Sequence, residues 1–163
     1  LAGGLTGIGM LLAAPLGAVT TSTFTVTAQI VAGCLVVGGV TSYGTLDYGS
    51  QSALSKALLS TSLGGSTVTF QCTPGVAMSM SVDGGQNSAS GTRNLKRTSG
   101  TQVLAYQLYR DAAYSQVLGI GQSVAVSYSD PTAIKLPVYG RVQLTGVLPA
   151  GTYTDVVQVT VTW

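Results

Sequence analysis

Apolar and polar residues alternate along most of this chain. In STFTVTAQIVAGC, Phe24, Val26, Ala28 and Ile30 fall on one side, with Thr25, Thr27 and Gln29 on the other. That is the period of a strand with one buried face. STVTFQC places Val68, Phe70 and Cys72 together, and VAMSMSV does the same for Val76, Met78, Met80 and Val82 before running into a hairpin-type DGG turn. QVLAYQLYR turns Leu104, Tyr106 and Leu108 inward, and SVAVSY is a short strand. AIKLPVYGRVQL reads as one strand, with Ile134, Leu136, Val138, Val142 and Leu144 set against Lys135, Tyr139, Arg141 and Gln143. Its Pro137 predicts an edge position or a bulge. The closing GTYTDVVQVTVTW buries Val157, Val159, Val161 and Trp163 and exposes Gln158, Thr160 and Thr162. One stretch, SQSALSKALLSTSLGG, is weakly helical, with Leu54, Leu58 and Leu59 able to share a single turn. Short strands separated by turn signals predict an all-β, antiparallel sandwich.

Composition agrees with that reading. The chain has 163 residues, 22 of them Gly, with 45% hydrophobic and only 7% charged residues. That is one domain with enough chain for a core and unlike a disordered segment. The net charge of +2 comes from scattered Lys and Arg, which gives no basic stripe for nucleic acid or an anionic membrane. LAGGLTGIGMLLAAPLGA, residues 1–18, is uncharged and apolar and ends in small residues. It reads as the remnant of a secretory signal cut after Ala18, and its rival is an apolar extension of the mature chain. It is short and Gly-interrupted for a membrane span. After such a segment, the pair Cys34 and Cys72 points to one disulfide made in an oxidising compartment, against the alternative of two buried thiols.

Candidate chemistry is sparse. There is no His, which removes Ser-His and Cys-His nucleophile pairs and imidazole metal sites, and two cysteines alone do not close a zinc site. The acids are five Asp at 47, 83, 111, 130 and 155. They are too dispersed to form a local acid/base motif, although a glycosidase could bring two of them together in space. SVDGGQNSASG resembles a calcium repeat but occurs once, and GIGQS lacks the Lys of a phosphate loop. The eight Tyr could line a glycan surface, but most are spaced for packing. No enzyme, cofactor or metal is expected.

The two ends raise a question together. A patterned strand closes the chain with nothing to pair beyond it, and a clean strand precedes the first cysteine. TFTVTAQI could be the first strand of a complete sandwich in a monomer. It could also be a spare strand that fills the groove of a neighbour, as in donor-strand complementation between pilins. Resemblance favours the second. QIVAGCLV, YGTLDYG, VTFQCTPG, MSVDGGQNSASGTRNLKRT, LAYQLYRDAAYSQVLG, LPVYGRV and GTYTDVVQVTVTW occur in order from about residue 19 to 163. In these the chain resembles the spore coat U / archaic chaperone–usher pilin family, the group that includes Csu-type pilus rod subunits.

The resemblance implies an incomplete immunoglobulin-like sandwich lacking its last strand, with residues 19–31 as an N-terminal donor strand and 32–163 as the domain. Phe24, Val26, Ala28 and Ile30 match donor side chains that enter a neighbour's pockets. Cys34 and Cys72 match the family disulfide. Val157, Val159, Val161 and Trp163 match the terminal strand bordering the open groove. The implied partners are identical subunits head-to-tail, a periplasmic chaperone and an outer-membrane usher. The implied location is an extracellular, adhesive and biofilm-promoting pilus on a Gram-negative-type surface, reached by secretion through the periplasm. The alternatives are a secreted monomeric carbohydrate-binding sandwich, with Tyr on an exposed face, and a spore or cell-coat protein.

Overall fold

The structure is a computed structural model, and it describes residues 23–40, 42–63 and 68–163. The expected signal remnant 1–18 and the first residues of the donor segment lie outside the described residues. The chain divides into two units, Leu1–Ile30 and Val31–Trp163. In the first unit, residues 23–30 carry no regular secondary structure, and Phe24, Val26 and Ile30 are exposed at 87%, 81% and 95%. The alternation predicted a strand here; a strand needs a hydrogen-bonded neighbour, and these residues pair with none among the described residues.

The second unit is all-β and antiparallel. Its strands are β1 (Cys34–Val36), β2 (Leu58–Leu63), β3 (Thr69–Cys72), β4 (Met78–Val82), β5 (Arg93–Arg97), β6 (Val103–Tyr109), β7 (Val124–Val126), β8 (Ile134–Lys135), β9 (Val138–Gln143), β10 (Tyr153–Thr154) and β11 (Val159–Thr162). Three ladders hold them: β1-β3-β8, β10-β5-β6-β9-β2 and β11-β4-β7.

Two long strands change ladder midway. The predicted strand 133–144 is in fact β8 and β9: β8 pairs with β3, and β9 lies between β6 and β2. Pro137 falls at the break, where its missing N–H cannot continue a ladder. The closing strand divides in the same way. Tyr153 and Thr154 pair with Arg97 and Lys96 of β5, whereas Val159–Thr162 run along Val82–Ser79 of β4.

Two further expectations are corrected. Leu58 and Leu59 form no helical turn; they begin β2, whose period-two pattern sends Leu59 and Leu63 toward the core. The DGG sequence makes no hairpin, because β4 pairs with β11 and β7 while β5 pairs with β6 and β10. The charge-rich RNLKR, on which the alternation made no prediction, is β5.

The core is the one that alternation marked. Phe70, Met78, Met80, Val82, Leu104, Tyr106, Leu108, Ile134, Leu136, Val138 and Val142 are all buried. At about 1.5–3 kcal/mol per large side chain, this burial is the main favourable contribution to folding.

Candidate functional site

β10 and β11 have one hydrogen-bonded neighbour each, so the far edge of the terminal strand carries no partner among the described residues. β1, β2, β7 and β8 are single-sided too. A cavity of about 600 Å³ lies between the segment 45–55, which leads into β2, and residues 148–155, which lead into the terminal strand. Its floor is apolar, made by Leu59, Leu95, Leu104 and Val142 from four strands of one sheet.

Beyond this cavity, two other single-sided strands are incompletely covered. Val157, Val159 and Val161 of the terminal segment pack against the core but are only half-buried, as are Cys34 and Val36 of β1. The inward residues of β3, β4 and β6 are buried. Trp163, expected inside, is 54% exposed; it follows the last paired residue, Thr162, so no ladder holds it over the core.

The bordering strand is braced from behind by a polar network that sequence reasoning missed. Asp155 accepts from the Tyr106 hydroxyl at 2.7 Å and from the Asn87 backbone and side-chain N–H groups at 3.1 and 3.0 Å. Asp83 accepts from the Gln158 N–H at 2.8 Å and the Gly85 N–H at 3.0 Å. Gly85 adopts φ +79°, and a Cβ there would collide with the Asp155 carboxylate, so this turn requires glycine. Burial, the hydrogen bond to Asp155 and its charge together push the Tyr106 phenol well above its ordinary range.

Arg93 locks the same corner. Its Nε donates to Asp83 O at 2.7 Å, Nη1 to Leu118 O at 2.6 Å, and Nη2 to Val82 O at 2.8 Å and Gly119 O at 3.3 Å. Burial lowers its pKa from the ordinary arginine value, and the carbonyl oxygens stand in for lost hydration. A signal was present in the sequence: Arg93 alternates in phase with Leu95, which faces the core.

Cys34 and Cys72 are joined, with Cα atoms 4.0 Å apart, as directly opposed residues of β1 and β3. The bridge fixes the start of the domain to a core strand.

The Asp residues are engaged in holding turns. Asp47 accepts from Gly49 N–H, Asp111 from the Ser115 and Gln116 N–H groups and the Ser115 hydroxyl, and Asp130 from the Thr132 N–H and hydroxyl. Among the described residues no three His, Cys, Asp or Glu side chains gather as a metal site. None of the eight Tyr is exposed. Half-buried Tyr114 has Arg141 stacked 3.9 Å over its ring and edge contacts to Tyr109 and Tyr139.

Among solved structures, the chain is similar to one in the CsuC–CsuE chaperone–tip adhesion subunit pre-assembly complex from archaic chaperone–usher Csu pili of Acinetobacter baumannii. The TM-score is 0.52 at 17% identity, over 82% of this chain and 40% of that one, which is a likeness of fold. A chaperone–tip adhesin complex of CFA/I fimbriae biogenesis gives a TM-score of 0.48 at 16% identity, over 80% of this chain and 41% of that one, too slight to carry an argument. The chain thus spans about two fifths of the length of these matched chains. No curated protein matches it. The model of the Spore Coat Protein U domain matches residues 20–160, nearly the whole length, and the chain belongs to the Spore Coat Protein U domain family.

Proposed function

We propose that this protein is a structural subunit of a chaperone–usher-type surface fibre, in which residues 19–31 of one copy complete the sandwich of the next. The observation that carries the reading is that both halves of the terminal strand, β10 and β11, are single-sided among the described residues, with the β10 half beside an apolar-floored cavity of about 600 Å³. A segment with alternating exposed apolar side chains, Phe24, Val26, Ala28 and Ile30, precedes the domain in the same chain. Such a segment supplies both things the edge lacks: backbone N–H and C=O groups for the ladder, and side chains for the half-buried row Val157, Val159 and Val161. Burying three large side chains and an alanine is worth roughly 5–9 kcal/mol before ordering costs. Contact between unlike surfaces does not close on itself, so repetition yields a filament.

A free strand edge over apolar surface invites mispairing, which is why a periplasmic chaperone is the expected first partner and an outer-membrane usher the second. The fibre is then extracellular, with adhesion and biofilm support as its role. The carbohydrate-binding alternative needed tyrosines on an exposed face, and none of the eight is exposed.

The test uses residues 32–163 melted with and without a peptide of residues 19–31. A concentration-dependent rise in melting temperature is expected, following the mass-action stabilisation of a ligand that binds only the folded state. A well-folded domain whose melting ignores the peptide would mean the sandwich is already complete.

A further inference from the structure

A second cavity, of about 350 Å³, opens on another side of the domain, between β7 and β8. It exists because two strands stop short. β8 ends at Lys135 as the chain turns at Pro137 toward the other ladder, and β7 pairs only with β4. Neither terminal-strand residues nor the 45–55 segment line it, so it is separate from the opening described above.

The lining has two parts. Met80 and Leu136 are buried and, with half-buried Val124 and Val126, make an apolar floor. Arg110 and Lys135, both exposed, stand at the mouth. The single carboxylate among the lining residues is Asp111, and both of its oxygens accept hydrogen bonds within its own loop, from Ser115 and Gln116. Neither cation forms an ion pair among the described residues.

We propose that this cleft binds a small amphipathic carboxylate, with an apolar body on the Met80–Leu136 floor and its charge between Arg110 and Lys135. The volume lies at the lower end of the range for small-ligand clefts, which suits a small apolar body. The two cations outnumber the one lining carboxylate, Asp111, and so select an anion over a neutral or cationic analogue of the same shape, because charge-assisted hydrogen bonds to a carboxylate are about twice as strong as neutral ones.

Hexanoate, hexanol and hexylamine serve as probes against the full-length chain labelled at its methionine methyl groups. Met80 reports from the floor, while Met78, two residues along the same strand and not part of the lining, is the internal control. Hexanoate should shift the Met80 methyl saturably, with an affinity about tenfold or more above that of hexanol, and hexylamine should be weakest. The double variant Arg110→Gln, Lys135→Gln changes only exposed side chains; it should abolish the preference for hexanoate while leaving the Met78 signal in place. The proposal is overturned if hexanoate gives no saturable shift at Met80, if hexanol binds equally well, or if the preference survives the double variant.

Discussion

The Arg93 guanidinium, set among four main-chain carbonyls, does the work that a sheet ladder does elsewhere. It joins the end of β4 to the 118–119 turn across β5. Replacing it by Met keeps the aliphatic stem but takes the side-chain donor from the Asp83 and Leu118 carbonyls, while Val82 O keeps the Gly121 N–H at 2.9 Å and Gly119 O the Gln122 N–H at 3.3 Å; each buried carbonyl left without a donor costs about 1–3 kcal/mol. Arg93→Met should therefore lower unfolding free energy by about 3 kcal/mol or more, read as a fall in the urea midpoint with unchanged slope. Asp130 makes a second residue-scale case, through charge. The Thr132 hydroxyl and N–H hold its carboxyl below the usual aspartate value. A depressed carboxylate stabilises the fold above the unfolded pKa, about 3.9, and that contribution disappears as pH falls through the lower folded value. Asp130→Asn should accordingly melt below wild type at pH 6, with the gap closing between pH 4 and pH 2 in a melting series. Neither residue stands out by type: an Arg in RNLKR and an Asp before Pro look like solvated loop until the carbonyls and hydroxyl around them are known.

At the scale of elements, faces were legible and partners were not. The period of two correctly sorted Met78, Met80 and Val82, and Leu104, Tyr106 and Leu108, to the interior. It could not say that β4 and β5 would be paired by successive halves of one closing strand, because both faces of a strand look the same whichever neighbour lies alongside. β2 was missed for a related reason. Leu54, Leu58 and Leu59 share a helical spacing by chance, and pairing with β9 decided the matter, tertiary context overriding a weak local pattern. The disulfide belongs here as well, since it staples β1, only three residues long, onto β3. Closing a loop of sequence separation 38 is worth about 4 kcal/mol in the chain-entropy picture. The double variant Cys34→Ala, Cys72→Ala should lose stability of that order by guanidinium unfolding and give less recoverable subunit from an oxidising compartment.

Taken as a whole molecule, each of the three ladders is open at both ends, and the single-sided strands include β1 and β2 near the start of the domain and both halves of the terminal strand. The proposed assembly uses that openness. An aspartate introduced on the donor side chains would carry an unpaired charge into an apolar cleft while leaving the subunit's own core untouched. Ile30→Asp or Val26→Asp should thus abolish long fibres in electron micrographs and in size-exclusion profiles, with the unfolding midpoint of the chaperone-bound subunit unchanged. Fibres of normal length from either variant would refute the role given to residues 19–31. In the same comparison, Gln29→Asn, on the opposite side of the alternation, is expected to polymerise normally.

The sequence by itself determined the β class, the inward and outward faces of most strands, the cysteine pair and the alternating segment ahead of it. These depend on local periodicity and on residue chemistry, which travel with the chain. Only the tertiary structure decided which strands became neighbours, that Pro137 divides one strand between two ladders, that Arg93 belongs inside, and that Trp163 stays outside. Those outcomes turn on which backbone edges and carbonyl groups meet across long stretches of chain, and no short-range pattern encodes such meetings.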